Sequence, residues 1–125
     1  MKNKYLISCK NNHIEATSDG PKTIECVIHL WRKIIDACKE CTCTNILNIT
    51  NTASPITVTE ALNHLKSFEH LQITNDYRVA WVELNPACGE SNLLVESLLL
   101  THGMNIRTFM DIGDARRWLF YGRSI

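Results

Sequence analysis

The stretch from Arg78 to Leu119 constrains the fold more than any other part of the chain. It reads Arg78-Val79-Ala80-Trp81-Val82-Glu83-Leu84, a leucine-rich segment, Asn105-Ile106-Arg107-Thr108-Phe109, and then Asp111-Ile112-Gly113-Asp114-Ala115-Arg116-Arg117-Trp118-Leu119. Short apolar runs with β-branched and aromatic residues predict strands, and the segments between them suit helices. Strand, helix, strand, helix is the order of an α/β fold, because parallel strands need a crossover between them. The nearly unbroken apolar run Val79 to Leu84 further predicts a central strand covered on both faces.

The remainder of the chain extends the same alternation. Tyr5 to Lys10 and His13 to Thr17 predict two strands joined at Asn11-Asn12, an N-terminal hairpin. Ser18-Asp19-Gly20-Pro21 supplies a turn and the opening of a helix. In that helix Ile24, Val27, Ile28, Trp31, Ile34, Ile35 and Cys38 recur at three- and four-residue steps, with Arg32, Lys33, Asp36, Lys39 and Glu40 on the other side. It should fray at Cys41-Thr42-Cys43-Thr44. Asn45 to Thr50 predicts a buried strand. Thr57 and Glu60 have capping-box spacing at the head of a second helix with Val58, Ala61, Leu62, Leu65 and Phe68 inward. A third helix, about Glu90 to Thr101, ends near Gly103, and Asp111 caps a fourth in which Ala115, Trp118 and Leu119 face inward. The expected fold is α/β: a single domain over residues 1–125, with about four helices and a mixed, mostly parallel sheet of about five strands. Its crossovers should be right-handed.

Bulk properties narrow the function classes. Hydrophobic residues make up 45% and charged residues 21%, which suits a folded domain with its own core. Thirteen Lys plus Arg balance thirteen Asp plus Glu, so no basic patch marks a nucleic-acid surface. The start, Met1 to Ser8, is broken too early to resemble a signal peptide, and no apolar run is long enough to span a bilayer. These features predict a cytoplasmic location. Six cysteines (Cys9, Cys26, Cys38, Cys41, Cys43 and Cys88) are then expected as reduced thiols.

No nucleophile–base pair, glycine-rich phosphate loop or secure metal motif is visible, so catalysis is not expected and no cofactor is implied. Cys38-Lys39-Glu40-Cys41 falls at a helix C-terminus, where the dipole opposes a thiolate, and it lacks a second ligand pair for zinc. His13, His29, His64, His70 and His102 are scattered and expected mostly at the surface or at helix ends. Two strand-end loops remain. Thr50 to Thr57 offers the hydroxyls Thr52, Ser54 and Thr57 at the head of a helix, as a phospho-acceptor or partner loop. No Lys or Arg lies between Lys39 and Lys66, so a permanent phosphate site there lacks local positive charge. Asn85 to Ser91, with Asn85, Glu90 and Ser91, is the second ligand or partner loop. Trp31, Trp81 and Trp118 are expected in the core, or around an apolar pocket between helices and sheet.

Taken with the element order, Arg78 to Val82, the strand entry Gly103-Met104-Asn105-Ile106-Arg107-Thr108-Phe109, and Asp111 to Ala115 followed by Trp118-Leu119 resemble the STAS-like family in its SpoIIAA-like branch. This branch is related to bacterial anti-sigma-factor antagonists. The resemblance covers the whole chain in element order and about a third of it in residue detail. It implies a non-enzymatic regulatory or protein-interaction domain. The alternative it implies is a carrier or sensor of a small apolar, lipid-like ligand. Pairing into a homodimer is also compatible with a domain of this kind. In the antagonists a phosphorylatable serine sits in an Asp-Ser-Ser-Gly turn after the middle strand. The matching stretch here, Thr50 to Thr57, has hydroxyls but neither that aspartate nor that glycine, and Pro55 stands inside it. Ser54 is its nearest hydroxyl.

Overall fold

The computed structural model describes residues 5–120. Its elements are β1 (Tyr5–Cys9), β2 (Ile14–Ser18), α1 (Ile24–Cys41), β3 (Asn45–Thr50), α2 (Val58–His70), β4 (Arg78–Glu83), a 3-10 turn (Pro86–Cys88), α3 (Gly89–Thr101), β5 (Asn105–Phe109) and α4 (Ile112–Phe120). The strands form one sheet in sequence order, β1-β2-β3-β4-β5. Only β1 and β2 run antiparallel; β2 to β5 are parallel. The expected α/β architecture is therefore the observed one.

Local chemistry sets the helix ends. Thr23 caps α1 by accepting from the Cys26 amide at 3.2 Å, and Thr42 ends it in the left-handed region at φ 52°. Thr57 and Glu60 form the expected capping box of α2, at 3.2 Å and 2.9 Å. Asp111 accepts from the Asp114 amide at 2.9 Å at the head of α4.

The sheet separates two cores of unequal size. Ile46, Val79, Trp81 and Ile106 meet Val27, Leu30, Trp31 and Ile34 of α1, Ala61, Leu65 and Phe68 of α2, and Val95 and Leu99 of α3. On the other face Leu47, Ile49, Ala80 and Val82 meet Ala115 and Leu119 of α4, with Phe109, Ile112, Trp118 and Phe120 packed around them. Strands β3 and β4 are covered on both faces, which is why their sequences show so little alternation.

Three expectations about side chains are corrected here. Val58 and Leu62 are exposed, and α2 instead turns His64 and Ser67 inward with Ala61, Leu65 and Phe68. A helical face is about 100° wide, and the inward sector lies one step round from the one the aliphatic residues suggest. Trp118 is half-buried, with the Arg78 guanidinium 3.8 Å above its ring. Finally, Cys9 and Cys41 are disulfide-bonded, against the expectation of reduced thiols. The bond joins the end of edge strand β1 to the last turn of α1, two points brought together only by the fold.

The bond closes a loop with a sequence separation of 32. Loop-closure entropy at that length predicts that reduction lowers stability by about 3–4 kcal/mol. Urea unfolding with and without dithiothreitol checks this; equal midpoints, with six titratable thiols before reduction, would refute it.

Candidate functional site at the strand ends

Parallel strands in sequence order bring three loops to one edge of the sheet. Gly20 follows β2, Thr52 follows β3 and Asn85 follows β4. Gly20 has φ +74°, and a Cβ there would sit 2.2 Å from Thr52 Oγ1, so both conformation and space require glycine.

At the centre of the convergence lies Glu83, the last residue of β4, 1% exposed. Its Oε1 accepts from Thr50 Oγ1 (2.8 Å), Thr52 Oγ1 (2.6 Å) and Asn92 Nδ2 (3.1 Å). Its Oε2 accepts from the backbone amides of Thr52 (2.9 Å) and Asn85 (3.0 Å). Asn85 Nδ2 then donates to the Thr52 carbonyl at 2.6 Å, and Asn85 Oδ1 accepts from the Ala87 amide at 3.0 Å. Trp81 Nε1 donates to Thr50 Oγ1 at 2.9 Å and carries the network back towards the middle of the sheet. Burial pushes the Glu83 carboxyl up, but the hydrogen bonds from Thr52, Asn85 and Thr50 outweigh it and hold the carboxyl below its ordinary value. Five donors on one anion make this a clamp between loops rather than a free acid or base.

The loop hydroxyls divide into two sets. Thr52 is 1% exposed and spends its hydroxyl on Glu83. Thr57 is exposed but serves as the α2 cap. Ser54 is exposed, and Lys22 Nζ donates to its Oγ at 2.6 Å and to the Pro55 carbonyl at 3.2 Å. Lys22 also lies 3.9 Å from Glu60. The loop thus has a cation after all, brought from before α1, where a search along the local sequence does not find it. In the second loop Asn85 belongs to the clamp, Ser91 donates to the Cys88 carbonyl at 3.0 Å, and Glu90 is exposed. Asn92, which sequence reasoning missed, is the residue of α3 that reaches Glu83.

Outside the clamp runs a surface groove of about 400 Å³ between the second loop, α3 and the end of β5. Pro86, Glu90, Leu93, Phe109 and Met110 help to line it; Leu93 and Met110 are 51% and 52% exposed. Leu84 beside it is 50% exposed. Inside the protein, between the helices and the sheet, lies a cavity of about 20 Å³, lined by Trp31, Asn48, Thr50, His64, Phe68 and Trp81 among others. His29, His70 and His102 are exposed, as expected of most of the histidines, and the other two are buried. His13 is buried beside Glu15, and His64 is sealed under α2 with its pKa pushed down to about 4 by burial, the Glu60 charge opposing.

Cys38 is pushed up to about 12 by burial and by its neighbour Cys43, so its thiol stays protonated. Among the described residues no three of His, Cys, Asp and Glu come together as a metal-holding group. Nor is any helix of the described residues long and apolar enough to cross a membrane.

No family model matches this sequence, and no curated protein does. A solved structure does match the fold: an uncharacterised protein of the DUF3478 family with a SpoIIAA-like fold, from Shewanella loihica. It shares 16% identity with this chain, covers 94% of it and 93% of its own length, and superposes with a TM-score of 0.59. The chain has a SpoIIAA-like α/β fold.

Two outcomes follow from the buried groups. Replacing Glu83 with alanine leaves the buried donors of Thr50, Thr52 and Asn92 without their acceptor, and should cost at least about 3 kcal/mol in urea unfolding; a loss under about 1 kcal/mol would refute the clamp. The second concerns pH. The folded pKa of His64 lies near 4 against an ordinary 6.5, so the unfolded chain takes up a proton that the native one refuses. Stability should therefore fall by up to about 3 kcal/mol as pH drops from about 6.5 to about 4. Glu83 adds its own loss at lower pH, as it protonates through its depressed value. Thermal melts across that range should be flatter for His64→Leu; an unchanged slope would refute the assignment.

Proposed function

We propose that this protein is a non-enzymatic regulatory or protein-interaction domain of the bacterial STAS-like type. Its docking surface is the strand-end edge: Ser54 with Lys22 at one side, and the groove beside Asn85 to Ser91 at the other. The observation that carries this reading is the Glu83 clamp. It spends the one buried carboxylate of the region on structure and fixes two loops as a single rigid surface.

Rigid loops flanked by exposed Leu84, Leu93 and Met110 suit binding, since pre-ordered surfaces lose less entropy on association. Ser54 is the modifiable position of that surface. A phosphoryl group on it would meet the Lys22 ammonium and stand near the head of α2. In this reading Thr52 and Asn85 shape the surface, while Glu90 and Ser91 border it.

The carrier reading finds less support. An internal space of about 20 Å³ is far below the several hundred Å³ that small-molecule pockets occupy. A lipid-like ligand would need α2 or α3 to move.

Affinity capture from the native cell with wild-type, Leu93→Asp and Ser54→Asp proteins tests the proposal. Wild type should retain a protein partner at stoichiometric yield; Leu93→Asp should weaken it at least about tenfold, as loss of a central apolar contact does. Ser54→Asp should change the yield while the fold, by circular dichroism, stays the same. Identical partner profiles from all three proteins would overturn the assignment of this edge.

A further inference from the structure

We propose that the cavity between α2 and the sheet is a binding site for a single water molecule, held by Asn48, His64 and Thr50, which joins α2 to the network around Glu83. The inference is independent of the docking reading above. It rests on two orphaned atoms. Asn48 is 4% and His64 9% exposed, and among the described residues neither Asn48 Oδ1 nor His64 Nε2 has a hydrogen-bond partner. Both side chains line the same cavity. Buried polar atoms without partners are rare in folded proteins, because each loses its hydration without compensation.

Size selects the occupant. A cavity needs roughly 10–15 Å³ to admit one water, and this one has about 20 Å³. That space suits a single water and is too small for an organic molecule. Apart from Thr50 and Thr52, whose hydroxyls belong to the Glu83 network, the rest of the wall is mostly apolar, with Trp31, Phe68 and Val95, so a water there can bond only where polar atoms face it. A third partner is at hand. Thr50 Oγ1 donates to Glu83 and accepts from Trp81, and a hydroxyl oxygen retains a second lone pair.

The donor and acceptor count closes. Buried in this way, His64 is a neutral imidazole, with one ring nitrogen a donor and the other an acceptor. The water donates one hydrogen to Asn48 Oδ1. Where Nε2 carries the imidazole proton, the water accepts it and has its second hydrogen for Thr50. Where Nε2 is bare, the second hydrogen goes to it instead. With the proton on Nε2 the chain His64–water–Thr50–Glu83 runs unbroken from α2 to the strand-end clamp; with Nε2 bare the water joins His64 to Asn48, on the same strand as Thr50.

A high-resolution crystal structure of the wild-type protein, paired with NMR detection of long-lived water near the Trp81 indole N–H, tests this directly. One ordered water is expected within hydrogen-bond distance of Asn48 Oδ1 and His64 Nε2. The nuclear Overhauser contact to the Trp81 indole should disappear in Asn48→Leu. A dry cavity, a direct Asn48–His64 hydrogen bond, or an organic molecule in the density would each overturn the proposal. So would a water signal that survives both Asn48→Leu and His64→Phe. The wild-type measurements decide the matter even where a variant does not fold.

Discussion

The structure depends on one buried anion. Glu83 stands where three loops meet, and without its carboxylate the amides of Thr52 and Asn85, two threonine hydroxyls and the Asn92 amide would face one another across an apolar interior. An ionised group in that position is tolerated only because every lone-pair direction is answered by a donor. Its specificity follows from geometry: five donors from β3, two loops and α3 converge on one side chain only in the native arrangement. The clamp therefore favours the native loop arrangement over alternatives more than it contributes raw stability.

Much of the architecture was legible in the sequence, because it rests on local periodicity. The bounds of Asn45–Thr50 and Asn105–Phe109 follow from their apolar runs, and the Thr57–Glu60 box follows from spacing alone. The clamp was not legible. Glu83 reads as the one polar interruption of the run Val79 to Leu84, and nothing near it in sequence discloses that Thr50 and Thr52 will donate to it from 31 to 33 residues away. Lys22 and Ser54, 32 residues apart, escaped notice for the same reason, as did the bond between Cys9 and Cys41. Local patterns report which face a residue belongs to; they do not report which distant residue it meets.

His64 shows the intermediate case. Helical spacing places it on the same face as Ala61, Leu65 and Phe68, so its burial could have been inferred from position. The residue type argued the other way, since histidine is more often found half-exposed. Position outweighed type because the three-helix side of the sheet is deep, and α2 is flanked there by both α1 and α3.

The sequential strand order has a consequence for how the chain assembles during synthesis. Each new strand adds beside the one made just before it, so the growing sheet never holds open a slot for a strand that comes later. The antiparallel hairpin emerges first and offers an edge onto which β3 and then β4 can zip. The exception is the loop after β3. Its threonine donors leave the ribosome a full crossover ahead of the carboxylate they bind, and they stay solvated until β4 arrives. Chain order thus leaves the loop after β3 unanchored until β4 and the head of α3 bring Glu83 and Asn92 to it.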